Sequence, residues 1–219
     1  CQSVCIESSN TKRSCSNIMP ATSNQLKKYN NNKVFVETGT LIGDGVRRAI
    51  HAGYKKIISI ECHPEYYRKS KERFSDYDNI EIIFGDSSKI LFDVIKDIDE
   101  PITFWLDAHY MWNDPNQKLE KHPGEGYVPT HDELCQIKKH HIKNHTILID
   151  DIVHLNDLSD RHAVYPFLWG LFSYVKVHPP TGTTETLTEN LKTFLLTVNS
   201  NYKFEVVKNK DGNFFECLP

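Results

Sequence analysis

Residues Lys33 to Gly45 read KVFVETGTLIGDG. An apolar run, Val34 to Val36, leads into Glu37. A turn punctuated by Gly39, Gly43 and Gly45 follows, and after it Val46, Ala49, Ile50 and Gly53 recur at helical spacing. The pattern is strand, tight turn, helix. Glycines in such a turn let backbone pass close to a ligand, and the amides that open the helix can face an anionic group. Glu37 falls at the carboxyl end of the strand, where open α/β sheets bind ligands. An ordinary βα turn would carry the same glycines, so the rest of the chain decides between the two.

Outward from that stretch the alternation continues. Ser23 to Tyr29 predicts a short leading helix. Lys56 to Ile60 (KIISI) reads as a second strand ending at Glu61, and Pro64 suits the first turn of a helix running to about Phe74. Ile80 to Phe84 (IEIIF) is a third strand, ending in Gly85-Asp86. Ser87 or Ser88 can cap the next helix, whose apolar face is Leu91, Val94, Ile95 and Ile98. Ile102 to Leu106 (ITFWL) is a fourth strand, ending at Asp107, and Thr146 to Ile149 (TILI) a fifth, ending at Asp150-Asp151. Between them Thr130 and Glu133 read as a capping box for a helix to about His141. Val164, Phe167, Leu168 and Leu171 share one face of a later helix, and Pro179-Pro180 break the chain. Thr186 with Glu189 is a second capping box, opening a helix with Leu191, Phe194, Leu195 and Val198 inward. Tyr202 to Val207 and Asn213 to Leu218 close the chain as a hairpin through Asp211-Gly212.

Alternating strands and helices predict an α/β fold: one Rossmann-like, doubly wound, mostly parallel sheet with a C-terminal antiparallel hairpin. The expected organisation is a polar N-terminal extension over residues 1–20, taken as a tail or arm, and a single domain over 21–219. A long irregular loop spans 110–130 and is expected to be a lid or a disordered segment.

Composition narrows the function classes. The chain has 219 residues, enough for one domain with a sizeable core. Mean hydropathy is -0.50, and no apolar run approaches the ~20 residues of a membrane span. Net charge is -3, so a long polyanion such as duplex nucleic acid is not the expected partner. The six cysteines (Cys1, Cys5, Cys15, Cys62, Cys135 and Cys217) form no CxxC pair and suggest no disulfide framework, which favours a reducing, cytoplasmic setting. His131, His140, His141, His145 and His154, with Cys135, invite a zinc reading. They lack ligand spacing and are expected to be solvent-facing or lid residues. Tyr110 and Trp112 could stack on a ring or pack beneath the loop.

Five strand ends carry acids: Glu37, Glu61, Asp86, Asp107 and the Asp150-Asp151 pair. In a parallel sheet these ends share one edge. Carboxylates gathered there repel one another unless they meet donors, a cation or a metal. A ligand with a cationic centre and several hydroxyl donors would account for them.

The segments VFVETGTLIGDG, ISIECHPE, EIIFGDSS, ITFWLDAHY and TILIDDI, in this order, resemble the successive motifs of class I S-adenosylmethionine-dependent methyltransferases. The nearest variety is the small-molecule, metal-dependent type of O-methyltransferase. The likeness covers about Lys33 to Ile152, and the turn GTLIGDG does not match the GxGxxG of dinucleotide oxidoreductases. What the resemblance implies is S-adenosyl-L-methionine as cofactor. Glu37, Gly39, Thr40, Gly43 and Gly45 would line its methionine end, Glu61 would accept both ribose hydroxyls with Cys62 beside it, Asp86 and Ser87 would approach the adenine, and Asp107 would sit below the sulfonium. Two routes to a deprotonated acceptor are implied. In one, Asp107, Asp150 and Asp151 hold a divalent metal such as Mg2+; the sequence departs from some relatives by having Asp, not Asn, at 151. In the other, His109 is the general base. The catalytic set is thus Asp107, His109 and Asp151. The expected acceptor is a small molecule or sugar, with no nucleic acid and no membrane as partner and a homodimer left open. A non-catalytic cofactor-binding module and a nucleic-acid methyltransferase are the competing readings.

Overall fold

The computed structural model describes residues 21–108, 129–150, 191–209 and 212–219. A short helix α1 (Ser23–Leu26) runs into a 3-10 turn at Lys27–Tyr29. Strands and helices then alternate: β1 (Val34–Thr38), α2 (Asp44–Ala52), β2 (Lys56–Glu61), α3 (Pro64–Arg73), β3 (Ile80–Phe84), α4 (Ser87–Ile95), β4 (Ile102–Leu106), α5 (Thr130–Lys139) and β5 (Thr146–Ile149). Residues 191–196 are helical, and β6 (Lys203–Asn209) and β7 (Gly212–Leu218) end the chain.

One sheet holds all seven strands in the order β3-β2-β1-β4-β5-β7-β6. The first five are parallel, and β7 enters antiparallel beside β5 as half of a hairpin with β6. Side chains alternate between the faces of a strand, so each strand feeds two cores. Val36, Ile58, Phe104 and Ile147 pack with Leu91 and Ile95 of α4 and with Leu134 and Ile137 of α5. Phe35, Ile57, Trp105 and Leu148 pack on the opposite face with Leu26, Val46, Ala49 and Phe74. Leu191, Phe194, Leu195 and Val198 are buried, as their spacing predicts. The doubly wound architecture and the closing hairpin are therefore as the sequence predicts.

Three local expectations are corrected. The cap of α4 is Asp86, whose side chain accepts the Ser88 amide, because an aspartate one residue earlier already satisfies the helix start. The Thr130–Glu133 capping box does not form: Pro129 occupies the cap, Thr130 is the first helical residue, and Glu133 is fully buried. The histidines are not uniformly solvent-facing. His140 and His145 are fully buried at the amino end of the sheet, His131 is buried, and His141 is exposed. Ile102 donates its amide to His145 Nδ1 at 3.1 Å, so the His145 proton sits on Nε2 and is donated to His140 Nδ1, also 3.1 Å away. His140 Nε2 then donates to the Ile95 carbonyl at 2.9 Å. The pair ties α4, α5, β4 and β5 together in the neutral state.

The N-terminal extension, residues 110–128 of the loop expected over 110–130, the helix read around Val164, the Pro179-Pro180 break, the Thr186–Glu189 box and Asp211 lie outside the described residues, and Thr130 already belongs to α5.

Candidate functional site

Parallel strands present their carboxyl ends on one edge, and the acids follow that edge in sheet order: Asp86, Glu61, Glu37, Asp107, Asp150. The register confirms the alignment, with Glu37 opposite Ser59 and Trp105, and Leu106 opposite Ile149. The strand order reverses between β2-β1 and β4, which is the position where such sheets open a crevice.

At that crevice the turn after β1 is tightly built. Gly39 has φ +85°, and a Cβ there would lie 2.8 Å from the Asp107 carbonyl oxygen. Only glycine lets β1 and the end of β4 meet so closely. Gly45 is constrained differently: a Cβ would fall 1.6 Å from Glu37 Oε1, so the first turn of α2 closes directly over that carboxyl. The turn is also held from α3. Ser70 donates its hydroxyl to the Leu41 carbonyl at 2.7 Å, and Arg73 donates to the Ile42 carbonyl.

Glu37 is buried beneath this turn. Ser59 donates to its Oε2 at 2.6 Å, and Thr40 Oγ1 lies 2.6 Å from Ser59 Oγ. Burial pushes the Glu37 carboxyl up to about 8, against the Ser59 hydrogen bond and with help from the nearby Glu61 and Asp44 charges. Glu61 ends β2 as a two-sided acceptor: the Leu41 amide donates to Oε2 and the His63 amide to Oε1, each at 2.7 Å. Burial raises its pKa above the ordinary carboxylate value, with those two amides opposing. The Cys62 thiol is pushed up to about 11 by burial and by the Glu61 and Asp86 charges, which favours the protonated, unreactive form. Burial also pulls Asp86 upward, but hydrogen bonds from Lys89 and Ser88 overcome it and leave the carboxyl below its usual value. Lys89 Nζ approaches Asp86 at 2.7 Å.

Ser87 is buried, and its hydroxyl donates to Glu133 Oε1. From the sequence, Glu133 reads as half of a capping box and not as a site residue. Its signal was there, since Thr130, Glu133 and Ile137 fall on one helix face and an acid at an inward position is unusual. Asp107 is half-buried and Asp150 buried; Thr38 Oγ1 receives the Asp107 amide at 3.3 Å, and the Asp150 amide donates to the Leu106 carbonyl at 3.0 Å. His109 and Asp151 lie outside the described residues. Among the described residues no three His, Cys, Asp or Glu side chains converge as metal ligands, and His131 with Cys135, 3.8 Å apart, find no third group for zinc. No helix among the described residues is long and apolar enough to cross a membrane.

No family model matches the chain, and no curated protein matches it by sequence. Solved structures match by shape. An O-methyltransferase from Bacillus cereus in complex with SAH, S-adenosylhomocysteine, superposes with a TM-score of 0.57 at 11% identity, covering 94% of this chain and 83% of that one. The SAH-bound methyltransferase of Podospora anserina superposes with a TM-score of 0.55 at 15% identity, covering 90% of this chain and 75% of its own. The chain has the class I methyltransferase fold.

Proposed function

We propose that the protein is an S-adenosylmethionine-dependent methyltransferase acting on a hydroxyl of a small molecule or sugar. The observation that carries this reading is Glu61. It stands at the end of β2, holds its carboxylate between two backbone amides, and faces the glycine-built turn at the strand-order reversal. A carboxylate offers about four lone-pair directions, so the two amides leave room for two neighbouring ribose hydroxyls. The two compared structures, in the same fold, carry SAH.

Bound S-adenosylmethionine would supply the methyl group, on a sulfonium that is already a good leaving group. The chain's own residues would align the two centres and dispose of the acceptor's proton. Glu37, Gly39, Thr40, Gly43 and Gly45 would line the methionine end, and Cys62, Asp86 and Ser87 the adenine end. Asp107 would stand near the reacting atoms, since the end of β4 touches Gly39. For the proton, Asp107, Asp150 and Asp151 would hold a divalent cation, with His109 as the alternative base. The Bacillus protein's description as an O-methyltransferase supports oxygen as the acceptor.

The test is transfer of a labelled methyl group to a panel of hydroxylated small molecules and sugars, with Mg2+ or with a chelator. Transfer that Asp107→Ala abolishes is the expected result. SAH binding without transfer to any acceptor would favour a non-catalytic module. Turnover indifferent to the chelator would remove the metal and leave His109.

A further inference from the structure

The rim on the α4–α5 side contains a buried acid that the cofactor reading does not use. Glu133 lies in the first turns of α5 with no exposed surface. Its Oε1 takes the Ser87 hydroxyl, while its Oε2 has no hydrogen-bond partner among the described residues. One turn further along α5, Gln136 donates from Nε2 to the Ser87 carbonyl at 2.9 Å and accepts the Phe92 amide on Oε1 at 2.8 Å. Ser87 is thus gripped twice, at its hydroxyl and at its carbonyl, by two residues of the neighbouring helix. The Thr38 hydroxyl, which receives the Asp107 amide, is close enough to favour the ionised form of Glu133. From one carboxyl, contacts therefore reach the β3–α4 turn and the ends of β1 and β4.

Packing alone does not explain an acid at this position. A buried carboxyl is costly, and an apolar side chain at this fully buried position of α5, whose Leu134 and Ile137 enter the core, would be cheaper. Burial raises the Glu133 carboxyl to about 7, which records that cost. Groups kept under such strain cluster at functional sites.

We propose that Glu133 is a positioning residue for the adenine end of the cofactor: from α5 it latches Ser87 and so fixes the wall formed by Asp86 and the first turn of α4. The inference rests on the cofactor reading above. Glu133 touches no ligand itself. It acts through Ser87, and its deletion lets the first turn of α4 move off the adenine.

The experiment is calorimetric titration of the full chain and of Glu133→Gln, Ser87→Ala and the double variant with SAH, with thermal melting of each. Glu133→Gln, whose amide oxygen can still accept the Ser87 hydroxyl but without the charge, should weaken SAH binding by about tenfold, the difference between a hydrogen bond to a charged and to a neutral acceptor. Ser87→Ala should lose a similar factor, and the double variant should lose no more than the larger single loss, because both act through one contact. A merely structural role would lower the melting temperature and leave the SAH affinity of the folded protein unchanged. A folded Glu133→Gln with native affinity overturns the proposal, and so do losses that simply multiply in the double variant. If Glu133→Gln does not fold, Ser87→Ala decides: native affinity in that variant overturns the latch. A native chain that binds no SAH overturns the cofactor reading and the latch with it, whereas a native chain that binds and a variant that binds equally well overturns the latch alone.

Discussion

The two ends of the same sheet bury ionisable groups in opposite ways. At the amino end, His140 and His145 have their ring nitrogens engaged with each other, with the Ile102 amide and with the Ile95 carbonyl. At the carboxyl end, Glu37 and Glu133 lie on opposite faces of the sheet, each with a pKa raised first of all by burial. A satisfied buried pair holds elements together. Each of the two buried acids is raised further by neighbouring acids, Glu37 by Glu61 and Asp44 and Glu133 by Asp86 and Asp132, and at Glu37 that strain is relieved by a ligand that brings positive charge and donors. The first arrangement is a fastening, the second a site.

Substitutions should separate the two ends cleanly. The largest effect is expected at Gly45. A side chain there collides with Glu37 Oε1, so Gly45→Val should abolish SAH binding by calorimetry. Glu61→Ala should follow, with a loss of about a hundredfold in SAH affinity, because two amides and the ribose hydroxyls lose a charged acceptor together. At the other end, His145→Ala strips the Ile102 amide and His140 of their partner in a closed core. Denaturant melts should show about 3 kcal/mol of lost stability, with SAH affinity unchanged.

Two pH responses, arising from pKa shifts of opposite direction, are expected to be smaller. Burial lowers the His145 pKa from 6.5 to about 3 and depresses His140 as well. Both stay neutral in the folded chain, so their contribution is complete above about 6.5. It is lost as pH falls from there towards 3, where the unfolded chain takes up protons that the folded chain refuses. His145→Ala should flatten this part of the stability profile. At Glu37 the shift is upward and the readout is binding. Its pKa is raised to about 8, and a sulfonium above it favours the ionised form, so binding expels a proton. The affinity ratio of S-adenosylmethionine to SAH should therefore climb as pH rises towards 8 and level off beyond it. A flat ratio would place the sulfonium away from Glu37.

Much of this was legible in the sequence because its signals are local. β1 to β5 are apolar runs of strand length, and each ends in an acid, so the sheet and its rim could be read together. Glu37, Glu61, Asp86, Asp107 and Asp150 all stand on that rim. The directions of side chains leaving helices were not legible. The Thr130–Glu133 pair has the spacing of a capping box, yet Pro129 takes the cap and Glu133 turns inward to Ser87. That choice depends on α4, 46 residues away in sequence. The histidines misled for the same reason: His140 and His145 look polar in a lysine-rich stretch, and only the fold brings them against Ile95 and Ile102.

A crystal structure of the full chain soaked with SAH and Mg2+ meets the rim most directly. SAH should lie across the ends of β2, β1 and β4, with both ribose hydroxyls on Glu61 and the methionine portion along Gly39 to Gly45. SAH bound elsewhere on the molecule, or a rim that stays closed over Glu37 and Glu61 at saturating SAH, would contradict it.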